Sequence, residues 1–264
     1  MHQLTWSVVW REWQRCLLLV VFACASQILP LATSAQPVAG QTNRYGFYQP
    51  HNPDGIGKIY LGREIAHVMG HESADWLERP ERAAEEQPEQ LVRALKLRSG
   101  DMVADIGAGT GYFTRRLAQA VGPAGRVFAE DVQPEMIALL KDLNARLSLT
   151  NITPVLGDAI DPHLATASVD LALLVDVYHE FEFPYEMMLG ICRALKPGGC
   201  VIFVEYRGED PAVPIKPLHK MTEAQVKKEM SVLPLDWVKT IEVLPRQHII
   251  IFTKRGSGIA SPGE

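Results

Sequence analysis

Cysteine is scarce in this chain. There are four in 264 residues, and no two form a C-x-x-C pair. A zinc ribbon or a thioredoxin-type redox centre is therefore excluded. Basic residues are not in excess either. Lys and Arg number 26 against 31 Asp and Glu, for a net charge of −5. That is not the footprint of a protein that holds nucleic acid by its phosphates, and no nucleic-acid partner is expected. No H-E-x-x-H occurs. His67 and His71 stand four apart, as metal ligands on a helix would, but Gly70 between them weakens any helix there. No metal is expected. Internal repeats and coiled-coil heptads are also missing. What remains is a chain with 47% apolar residues, enough for one globular domain of ordinary size with extensions.

The chain is organised around Val103-Ala104-Asp105-Ile106-Gly107-Ala108-Gly109-Thr110-Gly111-Tyr112-Phe113. A short apolar run holds an aspartate near its end, and three glycines follow at alternate positions. An amphipathic segment from Tyr112 to Ala120 comes next, with Phe113, Leu117 and Ala120 on one face. This reads as strand, tight turn and helix. Glycines allow a positive φ and a close approach of ligand to backbone. The helix behind them offers free N–H groups and a positive dipole end. A nucleotide-type pocket at the C-terminal end of a first strand follows. Its spacing is G-x-G-x-G, whereas the dinucleotide fingerprint is G-x-G-x-x-G. Asp105 would sit poorly beside a pyrophosphate. A ligand carrying an ammonium or a sulfonium would suit it.

Residues 1–35 have the pattern of a secretory signal. Arg11 and Arg15 precede the apolar run Cys16 to Leu31, and Thr33-Ser34-Ala35 offers a small-residue cleavage site. Export to the periplasm or beyond is expected. The competing readings are an uncleaved membrane anchor and a cytoplasmic protein with a misassigned start. The anchor ranks lower, because the run is short for a spanning helix and holds Gln27 and Pro30. Any membrane contact would come through this leader alone. Cleavage would leave Cys192 and Cys200, either as a disulfide or as two buried thiols. Residues 36–57, rich in Gly, Pro, Asn and Gln, read as a linker or an arm ordered on docking. The stretch from Ile59 to Arg82 is dense in His, Trp, Arg and Glu.

From Glu85 onward helices and strands alternate. Helices are expected over Glu85 to Leu97, Pro134 to Leu147, Pro184 to Leu195, and from the Thr222 cap to Leu233. Strands are expected at 126–131, at 153–159 counting the loop that ends it, in the apolar run from Val169, and at 200–206, 238–244 and 248–254. An acid about 20 residues beyond the glycine turn is where a ribose diol is held, and Glu130-Asp131 close the next strand. Asp176, Tyr178, His179 and Glu180 come at the C-terminal end of the buried strand from Val169, where such sheets bind ligands. His179 is a candidate general base near neutral pH, or a structural histidine under the ligand.

The run D-I-G-A-G-T-G-Y-F resembles motif I of the class I S-adenosylmethionine (SAM)-dependent methyltransferases. V-F-A-E-D-V-Q-P-E-M, G-D-A at 157–159 and L-K-P-G-G at 195–199 are similar to later motifs of the same family. Together they cover roughly residues 87–255. The resemblance implies a doubly wound, Rossmann-like sheet of seven strands with the last antiparallel, and an N-terminal helical lid within residues 36–86. Residues 256–264 form a tail. It implies SAM as cofactor, with Asp105, Gly107, Ala108, Gly109 and Gly111 at the methionine end. Asp131 would hold ribose, with Glu130 the alternative. Asp158 and Ala159 would hold adenine, and Asp176 lies in the motif beside the transferring methyl. His179 and Tyr178 are the catalytic candidates, with packing the equal alternative for Tyr178. His67, His71, Trp76 and Arg79 of the lid would shape the acceptor site. The acceptor is expected to be a small or lipid-like molecule. Two rivals stand beside this reading: an exported protein that binds SAM or a nucleoside without transfer, and a nucleotide-dependent oxidoreductase, which the glycine spacing and Asp105 disfavour.

Overall fold

A computed structural model describes residues 44–256. The leader over 1–35 and the tail beyond Gly256 lie outside the described residues. Seven strands form the central sheet: β4 (Met102–Ile106), β5 (Arg126–Asp131), β6 (Ile152–Leu156), β7 (Val169–Val175), β8 (Leu195–Tyr206), β9 (Leu235–Ile241) and β10 (Gln247–Lys254). Their spatial order is β6-β5-β4-β7-β8-β10-β9. Strands β4 to β8 are mutually parallel, and β10 runs antiparallel to both β8 and β9. The doubly wound sheet with an antiparallel last strand is thus present. The chain winds outward from β4 through β5 to β6, then crosses to β7. The switch point between β4 and β7 opens the crevice in which such sheets bind ligands.

Five helices cover the two faces. On one side lie α3 (Pro88–Leu95), α4 (Thr114–Val121) and α5 (Pro134–Leu147). They bury Leu91, Leu117, Val121, Ile137 and Leu140 against Val103, Val127, Leu171 and Leu173. On the other side lie α6 (Pro184–Ala194) and α7 (Glu223–Met230). They bury Met188, Ile191, Val226 and Met230 against Ala172, Leu174, Val201 and Phe203. Strand β7 is sealed on both faces, which is why V-D-L-A-L-L-V reads as a nearly continuous apolar run. Each fully buried Leu or Ile contributes about 1.5–3 kcal/mol through area removed from water. Proline opens α3, α5 and α6, where a missing N–H costs nothing. Thr222 caps α7 by accepting the Gln225 N–H at 3.1 Å.

Ahead of this core the chain is more ordered than its composition suggests. Strands β1 (Tyr45–Phe47), β2 (Gly55–Tyr60) and β3 (Arg63–Ala66) form a separate antiparallel sheet in the order β1-β2-β3. The region expected as linker up to residue 57 therefore contains strand structure. Leu61 and Gly62, with φ of +46° and +93°, make the two-residue turn between β2 and β3. The sheet docks through Arg63. Its guanidinium forms a buried two-point ion pair with Glu229 of α7 at 2.8 and 3.0 Å, and it also donates to the His179 carbonyl at 2.9 Å. Only after β3 does the segment become helical, in a 3-10 turn at 71–73, α1 (Ala74–Leu77) and α2 (Arg82–Glu86). The expected helix from Glu85 is divided at Gln87, whose φ is +48° ahead of Pro88. Both Cys192 and Cys200 are free thiols. Among the described residues, no helix is long and apolar enough to cross a membrane.

Candidate functional site

A cavity of about 700 Å³ opens at the carboxyl ends of β4, β5 and β7. Strand register sets its floor. Ile106 pairs with Glu130 on one side and Leu174 on the other. The next residues along, Gly107 after β4, Asp131 at the end of β5 and Val175-Asp176 at the end of β7, therefore emerge side by side. The glycine turn then folds over them. Gly107, Gly109 and Gly111 all have positive φ. A Cβ on Gly107 would lie 2.4 Å from Val177 Cγ2, and one on Gly109 would lie 2.7 Å from Leu77 Cδ1. Only glycine fits this turn.

Among the acids that face the cavity are Asp105, Glu130 and Asp131, all buried, and the half-buried Asp176. Asp105 Oδ2 accepts the Thr114 hydroxyl at 2.6 Å. Burial pushes its pKa up to about 6. Asp131 accepts the Gly109 N–H and the Gln133 N–H, each at 2.9 Å, and burial raises its pKa. Glu130 accepts the Gly107 N–H at 3.3 Å through one oxygen, while its other oxygen has no partner. Asp176 takes a φ of +49° and accepts Gln247 Nε2 at 2.6 Å; its second oxygen is also unpartnered. Desolvation raises Glu130 and Asp176 well above the carboxylate range. Among the described residues, none of the four bonds an arginine or lysine. A buried carboxylate without a cation is costly. A ligand bringing an ammonium or sulfonium would reverse that cost, whereas a pyrophosphate would add to it.

The opposite wall comes from the residues before the sheet. Trp76, Leu77, Arg79 and Arg82 line the cavity. Both arginines are committed to acids: Arg79 binds Glu85 and Glu86, and Arg82 binds Glu86. Arg79 also stacks on Trp76, 3.9 Å from the ring centroid. Met69 is stitched at both ends of its peptide unit, its N–H to Glu180 Oε2 and its carbonyl to Gln133 Nε2, each at 3.1 Å. His67 and His71 do not line the cavity, and neither joins a metal-type cluster among the described residues.

Ala108, Ala159 and His179 line the cavity as well. Three expected site residues do not: Gly111, which packs against Leu140 and Leu143 of α5, Asp158 and Tyr178. Asp158 is exposed, and its carboxylate accepts the N–H groups of Ile160 and Asp161 while facing His163 Nε2 at 3.1 Å. A local turn satisfies it, so its side chain is not presented to an adenine in this structure. Tyr178 is fully buried. Its hydroxyl donates to Glu229 Oε2 at 2.6 Å, and its ring packs edge-on against Phe181 and Phe203. The 3-10 turn at 178–180 sends Tyr178 into the core and His179 toward the cavity. Tyr178 is thus a packing residue, one of its two readings, and not a residue that touches substrate.

His179 is held by partners that sequence reasoning misses. Its Nδ1 lies 2.7 Å from Glu205 Oε2, and its Nε2 lies 3.2 Å from His219 Nδ1. Coulombic attraction to Glu205 works against burial, and the net shift of His179 is upward. Glu205 had a sequence signal, as the lone acid in the apolar run V-I-F-V-E-Y of β8. His219, in the loop between β8 and α7, had none.

Comparison with known proteins agrees with this geometry. A family model described as a methyltransferase domain matches residues 97–250. A protein-L-isoaspartate O-methyltransferase of Ignicoccus hospitalis is 29% identical over 154 residues, covering 58% of this chain and 68% of its own length. A demethylmenaquinone methyltransferase of Staphylococcus aureus is 29% identical over 126 residues, 48% of this chain and 51% of its own. The chain thus spans about two thirds of one relative and half of the other. A SAM-dependent methyltransferase of Aquifex aeolicus shares the fold, with a TM-score of 0.67 and 22% identity over 71% of this chain and all of that one. The chain belongs to the methyltransferase-domain family and carries the class I fold of its SAM-dependent members.

Proposed function

We propose that the chain binds SAM and transfers its methyl group to a small, largely apolar acceptor. The observation that carries this reading is the set of carboxylates around the glycine turn, Asp105, Glu130, Asp131 and Asp176, none of which bonds an arginine or lysine among the described residues. SAM supplies an electrophilic methyl on a positively charged sulfur, together with an ammonium. Asp105 would face the ammonium of the methionine end, beside the glycine turn whose close approach leaves room for it. Asp131, fixed by Gly109 and Gln133, would accept from the ribose hydroxyls. Ala159 is the residue of its loop that reaches the cavity, so adenine recognition there would rest on backbone groups. Transfer by in-line displacement asks mainly for positioning, which can supply a large share of the barrier reduction.

The acceptor class is supported by the rest of the cavity. Met69, Trp76, Leu77, Phe113, Phe181 and Ile215 give it an apolar wall, of the kind that sorts small molecules by shape. Trp76 is half exposed at its rim. His179 stands among these residues with its ring oriented by Glu205. Export of the domain is kept in the proposal and rests on the leader pattern alone. The test is titration of the protein with SAM, with NAD as control. SAM should bind, and Asp131→Ala should weaken it by roughly 10- to 100-fold, the worth of hydrogen bonds to a charged group. A folded protein that ignores SAM, or that binds NAD instead, would sink the proposal.

A further inference from the structure

We infer that His179, His219 and Glu180 form a site for one divalent transition-metal ion at the wall of the cavity. Their ligand atoms make a triangle. His179 Nε2 is 3.2 Å from His219 Nδ1, His219 Nδ1 is 3.4 Å from Glu180 Oε1, and His179 Nε2 is 3.8 Å from Glu180 Oε1. Metal–nitrogen and metal–oxygen bonds of about 2.0–2.2 Å place tetrahedral neighbours about 3.4 Å apart. The three edges scatter around that length. A histidine–histidine hydrogen bond would explain the shortest edge alone. Glu180 Oε1 is too far from His179 for a hydrogen bond and at the outer edge of the range for His219, yet it faces both rings.

The supporting contacts orient these atoms as a metal site requires. Glu205 is fully buried; one oxygen accepts the Tyr178 N–H at 3.1 Å and the other faces His179 Nδ1. A carboxylate can only accept, so Nδ1 carries the proton and Nε2 presents a lone pair toward His219 and Glu180. This is the carboxylate–histidine–metal arrangement that fixes the tautomer and raises ligand basicity. Glu180 is fixed in the same way, since Met69 N–H occupies Oε2 and leaves Oε1 free to bind the ion. Two imidazoles and one carboxylate suit zinc, iron(II), cobalt(II) or manganese(II) better than magnesium or calcium. All three side chains line the cavity. Three protein ligands leave the shell incomplete, so its last position would go to water or to a donor atom of a bound molecule.

The site stands on this geometry and does not depend on methyl transfer. The test uses the full chain, stripped with chelator and titrated with cobalt(II), then with zinc(II) as competitor. One equivalent of cobalt should bind with visible absorption bands of a low-coordinate site, and zinc should displace it. His219→Ala and Glu180→Gln should each lower the affinity at least about tenfold, and Glu205→Gln should lower it by about 10- to 100-fold. His51→Ala, outside the cluster, should leave uptake unchanged. Circular dichroism shows that each variant is folded, and SAM affinity on the same samples reports the cofactor pocket separately. Absence of stoichiometric uptake by the folded protein overturns the inference. So does uptake that survives both His219→Ala and Glu180→Gln, whatever SAM does.

Discussion

Replacing Asp105 by Asn tests whether the cofactor pocket is charged in advance for a cation. The folded protein holds the Asp105 proton with a pKa of about 6, against an ordinary value of 3.8, because the carboxyl is buried. A raised carboxylate favours the folded state when protonated. That contribution is complete below the ordinary value and is lost as pH rises through about 6. Linkage over this single group gives a loss of about 2 kcal/mol between pH 4.5 and 7.5. For a domain of this size that is roughly 4–8 °C of melting temperature. Asn has the same shape, can still accept from Thr114, and does not titrate. The melting temperature of the wild type minus that of the Asp105→Asn variant should therefore fall with pH across this window, while other buried carboxylates cancel in the difference. Adding SAM at pH 7.5 should stabilise the wild type more than the variant, because the ligand's positive charge favours ionised Asp105. A flat difference, or one that rises with pH, would refute the reasoning.

Two further substitutions probe the turn and the helical segment after β7. Gly107→Ala places a methyl 2.4 Å from Val177 Cγ2 at a φ of +66°. Strain and overpacking together should cost about 2–5 kcal/mol in urea denaturation. Val177→Ala in the same chain should recover the packing part but not the backbone part. Tyr178→Phe removes the hydroxyl bond to Glu229, which keeps its pair with Arg63. Stability should fall by about 1–3 kcal/mol, with SAM affinity and turnover unchanged. Loss of turnover at full SAM affinity would return Tyr178 to the chemistry.

The parts of the fold that could be read from the sequence are those set by local pattern. Strand β5 and helix α5 begin and end at the expected residues because Arg126–Asp131 is bounded by turn signals and Pro134 opens a clean apolar period. The small sheet at 45–66 could not be read this way. Gly55, Gly57 and Gly62 give it a loop's composition, and its position depends on Arg63 reaching Glu229, which lies 166 residues further along the chain. Strand starts fall earlier than expected, at Leu235 rather than 238 for β9 and at Gln247 rather than 248 for β10, and β9 also ends earlier, at Ile241 rather than 244. Strand β8 begins at Leu195, five residues before Cys200, because Val169 lies opposite Leu195; the ladder resumes at Cys200 opposite Leu171 after a register shift.

The site divides along the same line. Asp105, the three glycines and Asp131 were visible because a parallel strand and its turn fix their own geometry within a few residues. Asp158 looked equivalent in sequence, yet three neighbours within five residues capture its carboxylate. A motif can therefore specify a backbone path without specifying where a side chain goes. The His179 cluster shows the opposite case. Nothing near His219 marks it, and it meets His179 only because the chain returns after β8 through the loop that leads to α7. Glu205 joins them from the end of the apolar run V-I-F-V of β8. A lone charge in a buried strand is expensive unless something it touches needs it, and Glu205 touches the Tyr178 backbone and the His179 ring. That expense is the sequence-level trace of Glu205, beside the placement of His179 and Glu180 at a strand end, and it points to His179 as a residue whose orientation the fold sustains at a cost.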